Sequence, residues 1–180
     1  MIVLVGASAS GKTELAKILY QHYGYRKCIT TTTRAPRLNE IDGIDYHFVS
    51  SHDFFILNDE RAFLEVTMYQ DHYYGVQRKD VFINGVVIVD PSGANAIYDK
   101  IGKDAYIVYV HSSEPLREKR MIERKDDEEI ILKRLRNDAL IFQDIAFKKI
   151  NLILENEDND LNDLANIVHQ SYQSYLQSLN

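Results

Sequence analysis

Apolar and polar positions alternate along the 180-residue chain in blocks whose period switches between that of a strand and that of a helix. The unbroken apolar run Ile2, Val3, Leu4, Val5 predicts a buried first strand. Over residues 13–23, Leu15, Ile18 and Leu19 recur at helical spacing, and Gly24 supplies a stop. Residues 25–32 are rich in β-branched side chains and predict an extended segment, and Ala35-Pro36 and Asp42-Gly43 then bound a polar loop. From 44 to 74, short strands at 46–49 and 63–69 surround a brief helix at 52–57. The run 85–90 predicts a central strand ending in an acid. Residues 94–101 read as helix and 105–110 as another core strand. Two helices, 114–124 and 128–147, are separated by a very polar stretch at 123–127. A short strand at 151–154 and a helix from about 161, with Tyr172, Tyr175 and Leu176 on its inner face, close the pattern. The alternation predicts one α/β domain around a largely parallel central sheet flanked by helices, with an inserted small β-rich lobe.

Composition narrows the partners more than the fold. The hydrophobic fraction of 45% and charged fraction of 27% are those of an ordinary globular protein. A formal net charge of −6 argues against a general nucleic-acid or anionic-membrane binder, but a phosphate site is local and is not excluded. Cys28 is the only cysteine, so no intramolecular disulfide can form. No leader-like segment precedes the first strand and no apolar run approaches bilayer length. The expectation is a cytoplasmic protein, monomer or homodimer, with no membrane or nucleic-acid partner.

The chemistry begins directly after the first strand. Gly6, Ala7, Ser8, Ala9, Ser10, Gly11, Lys12 and Thr13 form G-x-x-x-x-G-K-[ST], a phosphate-binding loop. Its glycines permit a tight bend that converges backbone N–H groups on an anion. Lys12 then reaches the β- and γ-phosphates, Thr13 offers a hydroxyl to Mg²⁺, and the following helix adds its N-terminal dipole.

Asp90 sits at the carboxyl end of a buried strand, where open α/β sheets bind ligands. Two readings stand side by side: a group that holds Mg²⁺ or touches nucleotide, and an N-cap for the helix opened by Pro91-Ser92. Arg34 and Arg37, three residues apart around Pro36, form either a fork for one phosphate or a solvated basic loop. Tyr46 and Tyr74 offer phenolic donors to the same anion or simply pack in strands. The six histidines show no metal-ligand spacing and read as structural or surface, and Cys28 reads as a packed thiol.

Taken together, the run 31–37 (Thr-Thr-Thr-Arg-Ala-Pro-Arg), the run 40–50, Phe63-Leu64-Glu65, Tyr73-Tyr74-Gly75 and Val89-Asp90-Pro91-Ser92-Gly93 resemble the guanylate kinases. The resemblance extends from the phosphate loop to Asn156. It implies a P-loop kinase fold with a small β-rich lobe for the nucleoside monophosphate and a helical lid. The implied division is a core of 1–32, 78–115 and 138–180, a lobe of about 33–77 and a lid of about 116–137. The implied activity is ATP-dependent phosphorylation of GMP, with dGMP as a further acceptor and Mg²⁺ as cofactor. Arg34, Arg37, Tyr46 and Tyr74 match the family's clamp on the GMP phosphate. Glu65 matches the carboxylate that reads guanine, and Thr30 a hydroxyl near the guanine edge. Asp90 joins the same GMP site or, with Thr13, the metal. Arg120, Arg124 and Arg134 match lid arginines that close over ATP, although without the match 117–125 reads as a solvated helix face; Lys12, Arg34, Arg124 and Arg134 are the implied catalytic groups.

The chain departs from the family pattern in three places. Val76 stands where Ser or Thr is usual, Ile88 where many members have a second acid, and Glu123-Arg124-Lys125 where the lid usually has glycines. A kinase with an altered acceptor therefore remains an alternative, as does a non-catalytic binding module of the same fold.

Overall fold

A computed structural model describes residues 1–38, 40–69, 71–143 and 147–179. Along the chain these form β1 (Ile2–Val5), α1 (Lys12–Tyr23), β2 (Arg26–Lys27), β3 (Thr30–Thr32), β4 (His47–Phe48), α2 (Ser51–Asp59), β5 (Phe63–Tyr69) and β6 (His72–Gln77). There follow β7 (Gly85–Ile88), α3 (Pro91–Ile101), β8 (Tyr106–His111), α4 (Glu114–Glu123), α5 (Glu128–Gln143), β9 (Leu152–Glu155) and α6 (Leu161–Ser178).

The main sheet has the order β2-β7-β1-β8-β9, and every pairing in it is parallel. β1 lies at its centre, which is why its sequence is apolar without interruption. Successive side chains of a strand point to opposite faces. Ile2 and Leu4 accordingly pack with Leu15, Leu19, Leu164, Val168 and Tyr172 on one side, and Val3 and Val5 with Val87, Ile97 and Ile107 on the other. The inner face expected for the last helix holds: Tyr172 is buried, with Tyr175 and Leu176 packed beside it.

A second sheet, β4-β3-β6-β5, joins β3 antiparallel to β6 and parallel to β4. The segment expected as one extended run over 25–32 divides between the two sheets. Arg26 and Lys27 pair with β7, and Thr30, Thr31 and Thr32 pair with β6. The β-branched composition shows an extended backbone but not which sheet it joins. Phe54 of α2 is fully buried and stacks on Phe63 at 4.6 Å, closing this second sheet from one side.

Helix α3 starts three residues before the expected 94, because Asp90 caps it and Pro91 fits its first turn. The expected helix 128–147 runs to Gln143. Residues 144–146 lie outside the described residues, and Phe147 is not helical. Among the described residues, no helix is long and apolar enough to cross a membrane.

Candidate active site

The phosphate loop bends between β1 and α1 because two of its glycines cannot be replaced without conflict. A side chain on Gly6 would collide with the Val110 carbonyl of β8. Gly11 has φ of 95° and abuts the Asn156 side chain, a conformation that ordinary residues resist. Lys12 curls over the bend, and its Nζ donates to Gly6 O at 2.6 Å, Ala7 O at 2.7 Å and Ser10 Oγ at 3.3 Å. Burial pulls the Lys12 ammonium down to about 8, with Asp138 pushing it up and Arg117 down. Thr13 is exposed at the start of α1.

One cavity opens on the side of the second sheet. It is lined by Gly6, Ser8 and Lys12 of the loop and by Thr30, Arg34, Arg37, Tyr46, Glu65, Tyr74 and Asp90. The residues matched to the GMP site thus share one wall system, although they come from β3, β5, β6, the end of β7 and a loop. Glu40 organises the guanidinium end. Arg34 Nη2 donates to both Glu40 oxygens at 2.9 Å, and Arg37 N donates to Glu40 Oε2 at 2.7 Å. Arg34 also lies over the Tyr46 ring at 5.3 Å.

At the other end Glu65 is only 5% exposed, and its Oε2 has no hydrogen-bond partner. Burial, and then the nearby Asp90 charge, push its carboxyl up to about 8, against a lowering contact from the Val76 amide. A buried oxygen without a partner on a cavity wall has the chemistry to accept hydrogen bonds from a ligand. Asp90 is an N-cap, accepting from Gly93 N at 2.8 Å, and also borders the cavity. The two readings of Asp90 are therefore compatible.

A second cavity lies on the opposite side of the loop, lined by Ala9, Ser10, Gly11, Lys12 and Thr13 with Arg120, Arg124 and Asn156. Arg120 donates to Ala9 O at 3.3 Å and Asn156 O at 3.1 Å, and Asn156 Nδ2 donates to Ser10 O at 2.9 Å. Arg124 and Arg134 both reach Asp126 Oδ2 at 2.7 Å. Arg134 borders neither of these cavities, and Ala7 lines a separate recess behind the loop. Lys12 belongs to both cavities and is the point where they meet.

Sequence reasoning missed Asp138 and Tyr69, and it read Arg117 as part of a solvated helix face, whereas Arg117 is buried. Arg117 and Asp138 form a buried pair at 3.0 Å, and Ser8 N donates to the same Asp138 oxygen at 2.8 Å. A signal existed: Asp138 continues the buried stripe of Ile131 and Leu135 on α5, and Arg117 shares the buried stripe of Met121 on α4. Charged residues on apolar stripes mark pairs. His111 is half-buried, and the fold brings its ring within 4.8 Å of the Glu155 and Glu157 carboxylates, a proximity invisible in the linear spacing. Both Glu157 oxygens are taken by Ser113.

A parallel sheet with a phosphate loop after its central strand, a lid-like helical pair and a second cavity lined by arginines and tyrosines define a P-loop kinase fold. A solved guanylate kinase from Anaplasma phagocytophilum matches the fold with a TM-score of 0.72, at 19% identity over 97% of this chain and 85% of that one. The guanylate kinase family model matches residues 1–175, and the chain belongs to that family of phosphotransferases. It is similar to a guanylate kinase of Caldanaerobacter subterraneus subsp. tengcongensis, 31% identical over 89% of this chain and 81% of that protein. A guanylate kinase of Baumannia cicadellinicola is 32% identical over 88% of this chain and 83% of its own length.

Proposed function

We propose that this chain transfers the γ-phosphoryl group of ATP to GMP, giving ADP and GDP, and accepts dGMP in the same way. The observation that carries this reading is the shared lysine: Lys12 borders an arginine- and tyrosine-lined cavity on one side and a P-loop cavity on the other. In this reading the loop amides, Arg120 and Arg124 hold the ATP phosphates. Arg34, Arg37, Tyr46 and Tyr74 hold the GMP phosphate. Ionised Glu65 accepts hydrogen bonds from guanine N1–H and the 2-amino group, with the Thr30 hydroxyl at the base edge. Adenine offers neither donor and would leave the buried carboxylate unpaired.

A GMP phosphate oxygen attacks the γ-phosphorus in line, the bond to the β–γ bridging oxygen breaks, and its electron pair leaves with ADP. The attacking oxygen is already anionic, so no strong base is required. The protein's work is positioning and charge neutralisation by Lys12 and the arginines. Closure of the lobe at about 33–77 and the lid at about 116–137 excludes water. Arg134 and Arg124, held together by Asp126, would then move as one unit.

Thr13 on the P-loop cavity and Asp90 on the other carry the hard oxygens that Mg²⁺ prefers, and they would hold the ion through its retained waters and the phosphate oxygens rather than as a closed protein cage. When bound, the ion offsets charge on the transferring group.

A second reading, the same chemistry with a relaxed acceptor, is favoured by Val76. Its side chain is fully buried in the core with Leu64 and Val87 and offers a base no polar contact. Steady-state assay of the purified chain against GMP, dGMP, AMP and UMP tests both. A strong preference for the two guanine nucleotides supports the first reading, and equal rates with AMP reject it.

A further inference from the structure

Ser8, in the first half of the phosphate loop, is where three parts of the molecule meet. Its N–H donates to Asp138 Oδ2 of α5 at 2.8 Å, and its carbonyl accepts from Arg117 Nη1 of α4 at 3.5 Å. Its hydroxyl engages the phenol of Tyr69, on β5 of the second sheet. The next residue, Ala9, adopts φ of 60° and packs against Met121, Ile131 and Leu135, the small apolar core between α4 and α5. Asp138 and Arg117 are 3% and 6% exposed.

Stability alone is a poor reason for this pair. A buried ion pair generally does no better than apolar side chains of similar volume, and here the Arg117 Nε is left without a partner. What the pair does uniquely is hold both polar groups flanking one residue of a loop whose amides are its phosphate-binding tools. We propose that Asp138, backed by Arg117, is a positioning residue of the phosphate loop: its carboxylate fixes the Ser8 amide and ties the α4–α5 hairpin to the loop shape that receives ATP. The inference rests on the phosphoryl transfer proposed above only for its consequence in turnover, since nucleotide binding reads it without an acceptor.

The test uses the full chain, titrated with MgATP by calorimetry in the absence of GMP, beside thermal melts. Two variants are compared with wild type: Asp138→Asn, and the paired Arg117→Met/Asp138→Leu, which removes both charges and restores packing. Loss of a charge-assisted hydrogen bond to the loop should weaken MgATP binding about 10- to 100-fold in both. The paired variant should melt at or above the wild-type temperature. A paired variant that melts like wild type and binds MgATP within twofold of it overturns the proposal, because the pair would then be packing alone. Amide exchange on the wild-type protein needs no variant: Ser8 N–H should stay protected with and without MgATP. Its loss of protection on binding would overturn the proposal equally, whatever the variants do. Normal ATP binding with no GDP formed would instead count against the acceptor reading.

Discussion

If Glu65 reads guanine as a carboxylate, GMP capture must expel a proton, and its pH dependence follows from the structure. In the free protein burial and Asp90 hold the carboxyl at about 8, so it is mostly protonated at neutral pH. Two guanine N–H donors stabilise the ionised form only, and binding therefore draws on the ionised fraction. That fraction rises about tenfold per pH unit below 8, so kcat/KM for GMP should climb about 50-fold between pH 6 and pH 8 and then level. The assay is initial rate at subsaturating GMP and saturating MgATP, with Glu65→Gln measured in parallel. The GMP phosphate titrates near 6 in both proteins, so the Gln variant isolates its share. The variant should lose the steep slope and have a much higher KM for GMP. Superimposable profiles in the two proteins would refute the reasoning.

The same shift has a stability counterpart. Native Glu65 keeps its proton where the unfolded chain has lost it, so stability should fall by on the order of 3 kcal/mol from pH 5 to pH 8. Glu65→Gln should flatten that part of the profile in denaturant titrations. Arg34→Lys removes a planar fork from the phosphate clamp and should raise the KM for GMP by about tenfold, leaving that for ATP near wild type. Gly11→Ala forces a side chain onto φ of 95° and into Asn156, and should lower the melting temperature and weaken MgATP binding together. Cys28, 2% exposed with its thiol pushed up to about 11, should resist thiol reagents until the protein unfolds.

Much of this architecture is local in origin and was therefore readable in the chain. The apolar run of β1, the loop glycines and the Gly24 stop each act within a few residues, and each lies where the pattern puts it. The strand at 63–69 matches residue for residue, because the alternation of Glu65, Val66, Thr67 and Met68 lies within the strand itself. What the pattern could not show was partnership at long range. Residues 25–32 carry one extended signature but serve two sheets, a choice made by β7 and β6 far along the chain. Arg117 and Asp138 lie 21 positions apart, and Arg117 alone reads as part of a solvated helix face. Glu40 was visible within the family motif, yet its grip on Arg34 depends on how the loop folds back. The burial that raises Glu65 likewise comes from neighbours the linear sequence does not name.

Transfer as proposed requires the two cavities meeting at Lys12 to be filled together. Calorimetric titration with adenosine and guanosine joined 5′ to 5′ through a five-phosphate bridge tests it most directly. One molecule should bind per chain, far more tightly than either ATP or GMP alone, and Lys12→Ala should abolish that advantage in a variant that still folds cooperatively. A linked compound that binds no better than ATP, leaving GMP free to bind beside it, would contradict the account.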